Sequence, residues 1–381
     1  MWEWVNLGLR WFHLIAGISW IGSSFYFMWL DSHLVDDELW MVHSGGFYRV
    51  EKKKIAPGQM PKVLHWFKWE ATLTWVSGFF LLGVVYYLSG GIYLVDPAVF
   101  QISVPSAIAI SLGMILLSWF AYDRIWISSM ARKGNAVPAA LSLVLLLGVI
   151  YTLCHLFSGR AAYLHTGVIL GTLMVLNVWV RILPAQQQMI DATQEGKQPD
   201  FTLGTQAKRR SVHNSYMTLP VIFIMLSNHY PSTYGHALNW VVLALFIAVG
   251  AGIRHFMITR AHGQPKPWVL APVSFALLIL FTLTQKPRDP ISPVGSGKSV
   301  PLAKAHSIIQ QRCITCHSTQ PTDDVFRVAP NGITFDSPER IKILAERIKF
   351  RAVISKTMPL GNKTQMTQEE RDTLGKWADQ L

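Results

Sequence analysis

The sequence predicts an all-α protein in two parts: a polytopic membrane helix bundle of about eight spans, then a small helical domain. Two observations carry this. Hydrophobic residues make up 51% of the 381 positions and charged residues only 15%, against roughly 25% charged in an average soluble domain. The shortfall is confined to residues 1–285, where apolar runs of about 20 residues recur, the length a bilayer-spanning helix needs.

The runs are 5–30, 71–95, 106–127, 136–157, 161–183, 213–230, 238–258 and 268–285. Pro220 interrupts the sixth, and Asn228 and His229 end it, so it is the weakest. The opening "MWEWVNLGLRWFH" has neither a basic n-region nor a small-residue cleavage site, and is expected to begin the first span. "KPRDPISPVGSGKSV" reads as a linker, rich in Pro, Gly and Ser. The expected units are therefore a transmembrane domain at 1–285, a linker at 286–299 and a soluble domain at 300–381. Trp4, Trp119, Trp126, Trp179, Trp240 and Trp268 lie toward span ends and read as interfacial anchors.

The net charge of +12 sits in loops between apolar runs, which reads as membrane topology and excludes a nucleic-acid face. Loops 31–70, 128–135, 184–212 and 259–267 hold 6, 2, 4 and 2 Lys or Arg, whereas 96–105, 158–160 and 231–237 hold only Arg160. Cytoplasmic loops carry the excess of Lys and Arg. The expected location is a bacterial inner membrane, multi-pass among its lipids, with the N-terminus and the soluble domain in the periplasm.

That soluble domain contains "CITCH", with Cys313, Cys316 and His317. Two thiols form thioethers to haem vinyl groups, and the adjacent histidine comes under the iron as proximal ligand, so the spacing reads as covalent haem c. A low-spin carrier needs a sixth ligand. Met358, before a Pro and after a helical stretch, is preferred over Met366. Met366 precedes Thr367, which reads as an N-cap with Glu370 three residues on. Helices are expected at about 300–315, 337–355 and 367–380, with Trp377 packed inside the last. These features together predict a class I cytochrome c domain. Cys154 lies alone in an apolar run, so no structural disulfide is expected. A zinc site would want a second Cys/His pair near the first.

Ionisable residues inside spans are costly and are candidates for function. His13, His155, His165, His229 and His236 lie toward the periplasmic ends. His13 and His165 are the deeper pair, and could ligate a second, non-covalent haem b. Toward the cytoplasmic ends lie Glu70, Asp123, Arg124, Asn177, Arg181, His213, Asn214, Arg254 and His255. Arg124, Arg181 and Arg254 could hold a planar anion in their guanidinium forks, with Asp123 and His255 moving protons. An arginine at this depth can equally be snorkelling. No Walker loop, dinucleotide fingerprint or serine elbow occurs in a credible context.

The opening "WFHLIAGISWIGSSFYFMWLDSHL", the basic first cytoplasmic loop and a tail running "CITCH", "MPLGN" and "MTQEER" resemble the membrane-bound, cytochrome c-fused urate oxidase (urate hydroxylase) family over essentially the whole chain. The family's tail usually reads "MPPGN"; Leu360 replaces the second proline here, leaving Met358 in place. The resemblance implies an oxidoreductase of purine catabolism that oxidises urate to 5-hydroxyisourate. Its electrons would leave through haem c to a terminal oxidase or a soluble cytochrome c. A further likeness, to small membrane proteins that hold haem b by a histidine in this helix, singles out His13. The competing reading is a quinol-to-cytochrome relay with the same haems and no urate chemistry.

Overall fold

The computed structural model describes residues 2–53, 59–61, 63–285 and 299–381. The linker expected at 286–299 lies outside them but for Ser299, as do Lys54 and Lys62 of the first basic loop.

The N-terminal part begins with α1 (Trp2–Asp31), a hairpin of β1 (Glu38–His43) and β2 (Gly46–Glu51), and α2 (Trp69–Leu82). It continues with α3 (Val104–Ile127), α4 (Ser129–Lys133), α5 (Ala136–Leu156), α6 (Gly159–Leu176) and α7 (Leu183–Gln194). The last elements are α8 (Phe201–Ser227), α9 (Pro231–Tyr234), α10 (Asn239–Ala261) and α11 (Leu270–Thr284). A π-helical stretch, Gly83–Tyr87, extends α2, and another, Asn177–Ile182, joins α6 to α7.

Six helices are long and apolar enough to cross a membrane among the described residues: Trp69–Tyr87, Val104–Ile127, Ala136–Leu156, Gly159–Gln194, Asn239–Ala261 and Pro267–Thr284. The sequence suggested eight. The other two, α1 and α8, are present as long helices but are less apolar. α1 carries Asn6, Arg10 and His13, and α8 starts twelve residues before its apolar run and takes in Lys208, Arg209, Arg210 and His213. Pro220 sits within α8 without ending it.

The hairpin is a departure from an all-α chain. Its turn residues Ser44 and Gly45 have φ of 50° and 77°, the left-handed pair that a tight two-residue turn requires. Its sequence, "ELWMVHSGGFYRVE", was absorbed above into a loop.

α1 packs on α2, α2 on α6, α6 on α8, α8 on α10, and α10 returns to α1, so these five helices close a ring. α3 and α5 pack outside it against α6, forming the largest apolar core with Trp119, Tyr122, Trp126, Phe157 and Tyr163. Trp119 and Trp126 are thus buried, not interfacial.

The C-terminal part has its own core, centred on Ile309, Ile341, Met366, Leu374 and Trp377. Its helices are α12 (Leu302–Arg312), α13 (Pro338–Ile343), α14 (Ala345–Ile348) and α15 (Gln368–Ala378). The expected N-cap is present: Thr367 and Glu370 form a capping box.

Candidate functional site

A cavity of about 960 Å³ opens between α3, α5, α6 and α8 at the end of the bundle that carries the basic loops. Its inner wall is apolar, with Leu145, Leu146, Val149, Ile169, Leu170 and Leu173, and Arg132, Lys133, Lys208 and Arg209 line it beside Gly134 and Asn135. Arg209, His213 and Tyr216 reach it from one face of α8, at the i, i+4, i+7 spacing that stacks helical side chains.

The Trp126 and His213 rings lie 4.1 Å apart, and the Trp126 indole is fixed by donating to Ser142 Oγ at 2.9 Å. Arg209 lies over Trp126, 5.5 Å from its ring centre. Its Nη1 donates to Ala131 O at 2.8 Å and its Nη2 to Trp126 O at 3.3 Å. Its Nε is buried with no partner. The cavity lining therefore combines aromatic and cationic side chains.

Behind this wall lies a polar network. Asp123 and Arg210 are 7% and 3% exposed. Arg210 Nη2 donates to Asp123 Oδ1 at 2.7 Å, and Arg181 pairs with both carboxylate oxygens, through Nε at 2.9 Å and through Nη2. Arg210 Nη1 also reaches Asn177 Oδ1 at 3.3 Å. Asn177, in the π-helical stretch, donates from Nδ2 to Tyr122 Oη at 3.1 Å and to Asn214 Oδ1 at 2.9 Å. Tyr122 Oη in turn meets His213 Nδ1 at 2.7 Å. Tyr122 Oη thus links Asn177 to His213, accepting from the first and sharing one proton with the second.

The residues singled out in the sequence are only partly brought together. Asp123, Arg181, Asn177, His213 and Asn214 share this network, but Arg181 is spent on Asp123. Arg124 lies on the exposed side of α3. Arg254 is fully buried away from the cavity lining. His255 Nδ1 meets Tyr216 Oη at 2.6 Å, one layer behind the cavity wall. Arg209 and Arg210 escaped notice as site residues because they were counted as loop charges. The signal that would have found them is the helical spacing of Arg209 with His213, and of Arg210 with Asn214, which places α8's start before the apolar run.

The two membrane histidines lie on α1 and α6. His13 Nδ1 lies 3.0 Å from both Thr74 O and Ser77 Oγ. Its ring fits against Gly78, where a Cβ would come within 3.0 Å of Cε1. His165 Nδ1 donates to Ala161 O at 2.8 Å, and its Nε2 is buried without a partner. Its ring neighbours are Tyr86 at 5.6 Å and Phe157 at 5.3 Å.

In the tail, Cys313 caps α12 and His317 N donates to Cys313 O at 2.9 Å, a tight turn that gathers the motif. His317 Nδ1 donates to Ile333 O at 3.0 Å. This second-sphere bond orients a ligating imidazole and leaves Nε2 for the metal. Burial pushes the Cys313 thiol up to about 12 and the Cys316 thiol to about 11. No group of three or more His, Cys, Asp or Glu is assembled for a metal among the described residues. Met366 is 3% exposed within the core. Met358 is half-buried, on a loop whose carbonyl accepts from Arg371 Nη1 at 2.8 Å. These residues fit haem c held by Cys313, Cys316, His317 and Met358. Met358→Ala is expected to abolish methionine ligation and lower the haem potential, and Met366→Leu to preserve both. A redox titration of the two variants reads the difference, and an unchanged potential in Met358→Ala would exclude Met358 as ligand.

The tail rests on the bundle. Phe326 meets Tyr93, ring centres 6.2 Å apart, and Arg351 Nη1 donates to Tyr234 Oη at 3.5 Å. Gly235 lies where a Cβ would come 2.8 Å from Thr357 Cγ2 and 2.9 Å from Ser355 O.

Together these features define a polytopic, membrane-capable helical protein with a basic, aromatic-walled cavity and a docked C-terminal domain. A family model, urate oxidase N-terminal, matches residues 1–285. The chain belongs to the urate oxidase family, which supports a urate-related oxidoreductase function. Searches of curated proteins and of solved structures returned no match.

Proposed function

We propose that the protein oxidises urate to 5-hydroxyisourate and sends the electrons out through haem c on the C-terminal domain to a terminal oxidase or a soluble cytochrome c. The observation that carries this is the cavity walled by Trp126, His213 and Arg209. Urate is a planar anion near neutral pH. Arg132, Lys133, Lys208 and Arg209 supply positive charge for it, and Trp126, His213 and Tyr216 an aromatic wall. The Asp123–Arg210–Asn177–Tyr122 chain holds His213 in place. The conversion adds the elements of water to urate and releases two protons and two electrons. Haem c, when bound, carries electrons singly.

In this reading α1 and α8 also span the membrane. They have 30 and 27 residues, about 45 and 40 Å of helix. With eight spans and the basic loops in the cytoplasm, the cavity opens where urate is made, and the tail lies in the periplasm of a bacterium. Asp123, Arg181 and His255 then support the site from behind, and Arg124 takes no part.

The test is urate-dependent reduction of haem c in purified membranes. Arg209→Gln is expected to weaken urate binding by about 10- to 100-fold, the worth of a hydrogen bond to a charged group, with the haem c spectrum unchanged. Rapid reduction by quinol with none by urate would replace this reading with the relay.

A further inference from the structure

Arg254 is the largest side chain buried completely in the protein. It projects from α10 within the ring of α1, α2, α6, α8 and α10. Its Nε donates to Ser215 Oγ of α8 at 2.9 Å, and its guanidinium carbon lies 4.3 Å from the centre of the Phe25 ring of α1. Both Nη atoms are buried and have no hydrogen-bond partner. It makes no ion pair among the described residues. A second buried atom without a partner, Glu70 Oε2, comes from α2, another member of the ring.

An unpaired charge is among the most unfavourable things to bury. The face of Phe25 offsets only part of this cost. What remains is a pair of parallel N–H donors, the fork that matches two neighbouring acceptor atoms of one group. We propose that Arg254 is the receptor of a second binding site, inside the helix ring, for an oxyanion presenting two adjacent acceptors. The site is distinct from the cavity between α3, α5, α6 and α8, whose lining does not include Arg254. Tyr216 lines the cavity, and its hydroxyl meets His255, next to Arg254 in the sequence of α10. Two sources supply such an oxyanion, a heterocyclic anion from water, as urate is, or the phosphate of a membrane lipid.

The inference stands whether or not the cavity binds urate, and the experiment keeps the two apart. Full-length protein in nanodiscs is compared with Arg254→Met, Arg254→Gln and Arg254→Lys, using urate and phosphatidylglycerol as probes and Arg209→Gln as the cavity control. Arg254→Met and Arg254→Gln are expected to bind one probe at least about tenfold more weakly, the scale of a lost charge-assisted pair. Arg254→Lys keeps the charge but loses the fork, so it binds weakly too, and a melting temperature near the parent's sets that loss apart from a folding defect. Weakened urate with lipid retained assigns the heterocyclic anion, and the converse assigns the lipid phosphate. Undiminished binding of both probes in the three variants overturns the site. In that case Arg254→Met, relieved of an unpaired charge, should also melt at a higher temperature than the parent.

Discussion

Replacing Cys313 and Cys316 together by alanine is expected to remove covalent haem and to stop electron exit from urate, while urate still binds. The reason lies in the separation of the two candidate sites. The thiols sit at the end of α12, in a domain with its own apolar core. The cavity is built from α3, α5, α6 and α8. Loss of the thioethers therefore removes the acceptor without disturbing the wall of Trp126, His213 and Arg209. A pyridine haemochrome spectrum reads the first effect, and urate binding to the purified variant reads the second. Each single alanine variant keeps one anchoring thiol and should retain part of the c-type signal. A full c-type signal in the double variant would show that this motif does not carry the haem.

Asp123→Ala is expected to be the most damaging single change in the membrane part. It leaves Arg210, 3% exposed, without its carboxylate, and breaking a buried pair by removing one partner costs about 3–5 kcal/mol. Arg181 is about one-third exposed at its side chain, so water takes over much of its share. Asp123→Asn keeps an acceptor and should lose less. The double change Asp123→Ala with Arg210→Met removes both charges and should recover stability, because the penalty comes from the orphaned cation rather than from a missing attraction. Thermal unfolding in detergent measures all three. Equal melting of Asp123→Ala and the parent would mean that the triad is not buried as described. The same substitution also cuts the chain from Arg210 through Asn177 and Tyr122 to His213, so urate binding should fall even where the protein survives.

Much of the architecture was legible because its causes are local. Apolar length is read directly from composition, and the Thr367–Glu370 capping box needs only two residues three apart. The haem c proposed for Cys313, Cys316 and His317 rests on their spacing. The site in the bundle was legible only in part. Asp123, Asn177, Arg181, His213 and Asn214 stood out as polar groups at one depth. Depth does not say which way a helix is turned, so Arg124 was grouped with its neighbour Asp123 although it faces outward. Arg209 and Arg210 were hidden by a boundary: α8 begins well before its apolar stretch, so residues that look like loop charges are helical and point inward. The hairpin at 38–51 was missed because its alternation is short and its surroundings are polar.

Gly235 sets a condition on how the two parts of this chain can be exchanged with others. With no side chain, it lets the loop after α9 meet the backbone at Ser355 and the side chain of Thr357, next to the methionine proposed to ligate the haem. A larger residue would have to push that loop aside, and its nearest neighbours include main-chain atoms, which cannot rotate out of the way. The tail is therefore not a freely interchangeable module. A foreign electron-carrying domain grafted after residue 299 would inherit the linker but not the seat, unless it brought a matching turn. Conversely, a bundle from a relative with a bulky residue here would present a different seat to this tail. A Cβ here would also meet Pro231 O of α9 at 2.8 Å, so the missing side chain serves the bundle's own turn as well as the seat of the tail.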